Sequence, residues 1–241
     1  MSDFDQYAQS YSRLLDQSVA LSGETSHYFA DYKARYMAAA LDPTGKQKKI
    51  LDFGCGVGLL SAALKKYLPG VIQHGYDVSP ASIDNVDPNL ARSGRFTSDV
   101  GRLDNDYDAI VMAAVLHHIP VVKRGQIFRE LAGRLGANGK LLVFEHNPLN
   151  PVTRWVVNQC PFDRDAILLK PKEVTAHMRD VGLRFIRRDY IVFFPRLLSR
   201  CRPIERFLGW CPLGAQYVIT AAKDPLTRID EYRNIDGGVG R

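Results

Sequence analysis

The chain has 241 residues, 46% of them apolar and 24% charged, which suits one globular domain with a sizeable core, or two small ones, rather than a disordered or fibrous chain. Its formal net charge of +6, from 32 Lys and Arg against 26 Asp and Glu, is too mild to indicate nucleic acid unless it is concentrated in one place. The four cysteines (Cys55, Cys160, Cys201, Cys211) form no Cys-x-x-Cys pair, the Met-Ser-Asp-Phe-Asp start lacks the apolar stretch of a signal peptide, and no apolar run is of membrane-spanning length. The expectation is a reduced, cytoplasmic protein, at most peripheral to a membrane.

Residues 1–45 have helical spacing and are expected to form an N-terminal helical cap. Tyr7, Tyr11, Leu14 and Leu15 make one stripe, and Tyr28, Phe29, Tyr32, Tyr36 and Met37 another, with a break at Gly23 and a loop at Pro43-Thr44-Gly45. Stripes of this kind are more often core than ligand site. Lys49 to Leu60 then reads as strand, tight turn and helix, through Asp52-Phe53-Gly54-Cys55-Gly56-Val57-Gly58. Glycine reaches positive φ and lets a ligand approach bare backbone, while the amides opening the following helix point into the same space. A dinucleotide fingerprint needs its third glycine three residues after the second, where this chain has Leu59, and the Gly-Lys-Ser/Thr ending of a phosphate loop is absent.

Val71 to Asp77 is the second strand, ending in an acid. Asp77 is placed to accept bonds from ribose hydroxyls, or else to cap Ser79-Pro80-Ala81-Ser82. A short third strand around Gly94–Ser98 is followed by Asp99 and Val100. Ala109 to Ala113, apolar without alternation, reads as a buried parallel strand and leads into Val115-Leu116-His117-His118-Ile119-Pro120. A helix over Lys123–Leu135, a turn Gly136-Ala137-Asn138-Gly139 and a fifth strand Lys140–Glu145 follow, with Glu145-His146-Asn147-Pro148 at that strand's end. Residues 149–169 are longer than an ordinary connection and read as an insertion facing the substrate. A helix from Pro171, a sixth strand Leu183–Phe193 and a seventh Gln216–Ala222 complete the pattern. Between the last two strands, 194–215 mixes large apolar residues with Arg196, Arg200, Arg202 and Arg206. The tail 224–241 is polar and expected to be loose.

The Asp-x-Gly-x-Gly-x-Gly turn, the acid ending the second strand and Val-Leu-His-His-Ile-Pro after the fourth fall in order over residues 46–223. Together they resemble the class I S-adenosylmethionine-dependent methyltransferases, in particular those modifying quinones, lipids and other small acceptors. The resemblance implies an α/β fold: a doubly wound, seven-stranded, mostly parallel sheet, Rossmann-like, with the last strand antiparallel and N-terminal helices over the cofactor. It also implies cofactor contacts. Gly54, Gly56 and Gly58 would form the cradle, with Asp52 favouring the cofactor's positive groups. Asp77 would hold the ribose beside Val78, Asp99 and Val100 would hold the adenine, Ala113 would end the fourth strand beside the cofactor, and Tyr11 would lie near the carboxylate.

The activity so implied is methyl transfer from S-adenosylmethionine to a small or lipid-linked acceptor, such as a glycan precursor hydroxyl. Alignment supplies most of the catalysis, and a hydroxyl acceptor also needs a base. His117, His118 and His146 are the candidates, the first two ahead of the third, with Glu145 orienting one of them. No Asp/Glu set with metal spacing accompanies the fifth strand, so no metal is expected, nor is a nucleic-acid partner. The apolar and arginine mix of 194–215 suggests a helix packed on the sheet with its arginines in solvent or, as the sharper alternative, contact with an anionic membrane surface. A nicotinamide-dependent oxidoreductase and a non-catalytic cofactor-binding module are the alternatives.

Overall fold

The computed structural model describes residues 11–41, 47–160, 163 and 166–224, with the backbone alone for 11–13. Tyr7, the Pro43–Gly45 loop, Pro161, Phe162 and the tail from 225 lie outside them. Two helices come first, α1 (Tyr11–Val19) and α2 (Ser26–Ala40), with Gly23 between them at φ 73°. Then follow β1 (Lys49–Phe53), α3 (Leu59–Tyr67), β2 (Ile72–Tyr76), α4 (Pro80–Asp84), α5 (Pro88–Ser93), β3 (Arg95–Thr97), β4 (Tyr107–Ala113) and α6 (Val121–Arg134). The last third contains β5 (Leu135–His146), α7 (Pro151–Gln159), α8 (Pro171–Asp180), β6 (Leu183–Ile191) and β7 (Gln216–Lys223).

The seven strands form one sheet in the order β3-β2-β1-β4-β5-β7-β6. β7 pairs antiparallel with both β5 and β6, and the other pairings are parallel. Strand order reverses between β1 and β4, and loops at such a switch point leave a crevice at the carboxyl ends of the strands. Both faces are covered, so the central strands have no polar side. Ile110 and Met112 of β4 pack with Phe128 and Leu131 of α6 and Val174 and Met178 of α8. Ala109 and Val111 pack on the other face with Ala34 and Met37 of α2 and Leu60 and Leu64 of α3. Helices on both faces are why β4 reads as an unbroken apolar run.

Three segments differ from the sequence reading. Gly136–Gly139 is no separate turn: β5 starts at Leu135, and its register against β4 slips between Tyr107 and Ala109. A side chain at Gly139 would run into the Tyr107 carbonyl, so the irregularity needs glycine there. The 149–169 segment contains α7, whose start is set by Asn150, accepting from the Thr153 amide (3.0 Å), and by Pro151 in the first turn. The 194–215 segment is not a regular helix packed on the sheet but a chain of 3-10 turns over Arg196–Phe207, kinked at Leu198 and with Pro203 inside it. Glu205, buried, ties it down by accepting from the amides of Phe193 (3.1 Å) and Phe194 (3.0 Å). Among the described residues no helix is long and apolar enough to cross a membrane.

Candidate active site

The turn after β1 places Gly54, Gly56 and Gly58 at φ 79°, 52° and 83°, a run that side-chain-bearing residues rarely adopt. The amides of Gly54 and Cys55 both donate to the Tyr76 carbonyl of β2 (2.7 and 2.9 Å), which folds the turn back across the strand ends. A Cβ on Gly54 would strike the Val115 side chain. Asp77 is fixed by two backbone donors, Gly56 N–H to Oδ2 (2.8 Å) and Ser79 N–H to Oδ1 (2.9 Å). Ser79, not Asp77, caps the next helix, by accepting from the Ser82 amide. These groups border a cavity of roughly 380 Å³, a size suited to a small ligand.

Of the residues expected at the cofactor, Gly54, Gly56, Asp77 and Val78 line this cavity. Asp52 does not. It is buried beneath the turn and accepts from Ser61 Oγ (2.8 Å), so it anchors α3; burial lifts its carboxyl to about 7 in spite of that bond. Gly58 is the N-cap of α3, and Asp99 caps the turn after β3 by accepting from Gly101, with Val100 beside it. Neither Asp99 nor Val100 is in the lining, and Ala114 rather than Ala113 is. The Tyr11 side chain is outside the described residues.

The histidines divide by environment. Glu145, fully buried at the end of β5, accepts from the amides of Val115 (3.1 Å) and Leu116 (2.7 Å) with Oε1, while Oε2 holds His117 Nδ1 at 2.6 Å. The other face of that ring meets Asp163, whose Oδ1 lies 3.3 Å from His117 Nε2 and 3.2 Å from His118 Nε2. Burial by itself would push His117 down, yet Glu145 and Asp163 outweigh it and raise the imidazole to about 10. His117 is therefore a fixed cation at neutral pH. His146, whose ring lies 5.1 Å from that of His117, moves the other way: burial first, then the His117 charge, bring it to about 4. It stays neutral at neutral pH, and its ring has no hydrogen-bond partner among the described residues.

Among the described residues, His117, His118 and Asp163 are also the one set whose side chains could share a cation, with candidate atoms within 4.8 Å of one another. Their ion pairs already give each of them a partner. The sequence offered no signal for Asp163, because it lies in the insertion and reaches the histidines only through the fold. Lys33 was missed too, hidden within the aromatic stripe of α2. Its ammonium, on a buried stem, has no hydrogen-bond partner among the described residues, and burial lowers it to about 8 against the pull of Glu145 and Asp52.

A second cavity, of roughly 370 Å³, adjoins the first. Val19 and Leu21, then Tyr28 and Phe29 of α2, Val152 and Val156 of α7, and Phe193 to Pro195 give it a mostly apolar wall. His146 lines both cavities.

Comparison with known proteins bears on the family, the fold and the cofactor. Residues 51–141, which carry the glycine turn, β2 to β4 and the paired histidines, match the model of a methyltransferase domain family. The ubiquinone biosynthesis O-methyltransferase of Coxiella burnetii (strain RSA 331 / Henzerling II) is 31% identical over 169 residues, covering 63% of this chain and 70% of that one. In fold, the chain resembles an S-adenosylmethionine-dependent methyltransferase from Archaeoglobus fulgidus, with a TM-score of 0.64 at 14% identity over 83% of this chain and 95% of that one. It likewise resembles the magnesium protoporphyrin IX methyltransferase of Synechocystis PCC 6803 with bound S-adenosylhomocysteine (TM-score 0.62, 16% identity, 91% and 96% covered). Hydride transfer and a purely non-catalytic role are thereby set aside, and the cofactor is S-adenosylmethionine. The chain belongs to the S-adenosylmethionine-dependent methyltransferases.

Proposed function

We propose that the chain methylates a hydroxyl on a small, largely apolar acceptor held in the second cavity, with His146 as the base. The observation that carries this is the position of His146, a neutral imidazole that borders both cavities. Bound S-adenosylmethionine supplies a methyl group on a sulfonium, already activated for direct displacement. The chain's own task is alignment and proton removal. As the acceptor oxygen bonds to the methyl carbon and the sulfur keeps the electron pair of the broken bond, the hydroxyl proton passes to His146. His117 cannot take that part, since it already carries its proton between Glu145 and Asp163. Glu145 and Asp163 are positioning residues that hold His117 and the paired-histidine turn.

For the cofactor, the Gly54–Gly56 backbone and Asp77 supply the cradle and the ribose contact, with Val78 beside it and Asp99 and Val100 toward the adenine. Lys33 provides what the sequence reading lacked, a cation without a hydrogen-bond partner among the described residues, for the methionine carboxylate. Val19 and Leu21 against Phe193 and Phe194 favour a lipid-like acceptor body over a bare saccharide. The Coxiella relative is an O-methyltransferase of ubiquinone biosynthesis, in line with oxygen as the methylated atom.

Leu21 and Val152 of the second cavity's wall are exposed, and so are Leu197 (93%), Trp210 and Leu213 of the 194–215 segment, which also carries Arg196, Arg200 and Arg206. Such a surface suits an anionic membrane from which a lipid-attached acceptor enters. The test is label transfer. Wild type given tritiated S-adenosylmethionine and a bacterial lipid extract should put tritium into the organic phase, and His146→Ala should lower the rate about 10²–10⁴-fold. An aqueous product, or an undiminished His146→Ala, overturns the reading. Flotation with anionic vesicles tests this surface: Arg196/Arg200/Arg206→Glu should stay at the bottom where wild type floats.

A further inference from the structure

The polar groups of the acceptor cavity fall into two sets. Most are already engaged within the protein. Asn150 accepts from Thr153 N–H and donates to the Leu213 carbonyl (2.7 Å), and Thr153 Oγ1 donates to the Ala215 carbonyl (2.9 Å). Ser22 Oγ donates to the Val19 carbonyl (2.6 Å) and accepts from the Glu24 amide (3.2 Å). Glu24 accepts from Arg202 Nη2 (2.7 Å).

Three side chains in the lining have no hydrogen bond to their polar atoms among the described residues, Tyr28, His146 and Gln216, and the last two are neighbours. Gln216 opens β7 directly opposite His146 in the antiparallel register of β5 and β7. Residues so paired present their side chains on the same face, with Cβ atoms about 4.5–5.5 Å apart. Gln216 is 9% exposed, lines the cavity, and its Oε1 has no hydrogen-bond partner among the described residues. A buried carbonyl oxygen without a donor is unfavourable, and a ligand that supplies the donor removes that cost.

We infer that Gln216 is a specificity-determining residue that accepts a hydrogen bond from a second donor, hydroxyl or amine, on the atom next to the methylated hydroxyl of the acceptor. The inference rests on the second cavity being the acceptor site. A hydroxyl at His146 leaves its neighbouring atom within reach of Gln216, the residue paired with His146 across the strands; apart from the Tyr28 hydroxyl on α2, the remaining wall is apolar or already engaged. The acceptor class is then an apolar body ending in two adjacent hydrogen-bonding groups, one methylated and one read.

The full-length chain saturated with S-adenosylhomocysteine is titrated with 1-octanol and with 1,2-octanediol, which differ by the one hydroxyl. Wild type should bind the diol about tenfold more tightly. Gln216→Met, nearly the same size, should bring the two affinities together while that for 1-octanol stays as it was. Gln216→Leu repeats the measurement should the first variant melt early. Equal affinities in wild type, or a preference that survives in both variants, overturns the inference while leaving the cavity as acceptor site. If neither alcohol binds, the cavity reading and the inference fall together. Undiminished turnover in His146→Ala removes the base alone, because the diol preference is a binding measurement.

Discussion

Replacing His117 by leucine removes a ring of nearly the same bulk and leaves two carboxylates facing each other across it. Glu145 and His117 are both almost wholly buried, and the imidazole stands 2.6 Å from Glu145 and 3.3 Å from Asp163. Breaking a buried pair by deleting one partner costs about 3–5 kcal/mol, because the remaining charge stays in place without compensation. The pH dependence gives an independent measure. An imidazole raised from 6.5 to about 10 stabilises the fold fully below pH 6.5 and loses that contribution as pH rises through 10. The slope inside the window is about 1.4 kcal/mol per pH unit, several kcal/mol over its length and consistent with the first figure. Urea unfolding of wild type and His117→Leu between pH 6 and 10 separates this residue from Lys33 and other groups that titrate in both proteins. Wild type should exceed the variant by about 3–5 kcal/mol at pH 6.5, and the gap should close toward pH 10. A gap under about 1 kcal/mol at pH 6.5, the scale of an exposed pair, or one that does not narrow on the alkaline side, would refute the fixed-cation assignment.

The remaining expectations concern the site itself. With His146 depressed to about 4, kcat/KM should hold its neutral value down to about pH 5, whereas an acid limb near pH 6.5 would assign the base to an ordinary imidazole. Asp77→Ala should weaken S-adenosylhomocysteine binding by about 1.5–3 kcal/mol in a calorimetric titration, the scale of charge-assisted bonds. Lys33→Met should weaken S-adenosylhomocysteine at least tenfold but leave 5′-methylthioadenosine, which lacks the carboxylate, unchanged; equal losses for both would deny the carboxylate contact. Turnover should survive exhaustive EDTA treatment, and a loss restored by a divalent cation would give the His117, His118 and Asp163 group a metal.

What could be read from the sequence was what is set locally. The glycine turn, the unbroken apolar β4 and the acid closing β2 are all governed by neighbours within a few residues, and they came out as expected. The start of α7 was equally local, since Asn150 and Pro151 stand in cap and first-turn positions, but the insertion's irregular composition drew it toward a loop reading. The ranking of the histidines could not be local. His117 and His146 have the same intrinsic chemistry, and what parts them is the approach of Asp163, 46 positions along the chain from His117, and their depth beneath the helices. Asp52 shows the converse: a correctly recognised motif residue whose side chain turned out to face α3 instead of the cavity.

The single reversed strand has a consequence for how such a protein diversifies. Because β7 runs against β5, the chain reaches the carboxyl edge of the sheet at the start of β7, directly after the 194–215 segment. The glycine turn and the ends of β2 and β4 occupy one half of that edge. The other half belongs to the 194–215 segment and α7, and the two meet at His146. Mutational drift can therefore remodel one half without disturbing the other. A graft of 194–215 from a relative should carry acceptor preference with it and leave cofactor affinity untouched, so that one chassis can serve a lineage of different acceptors.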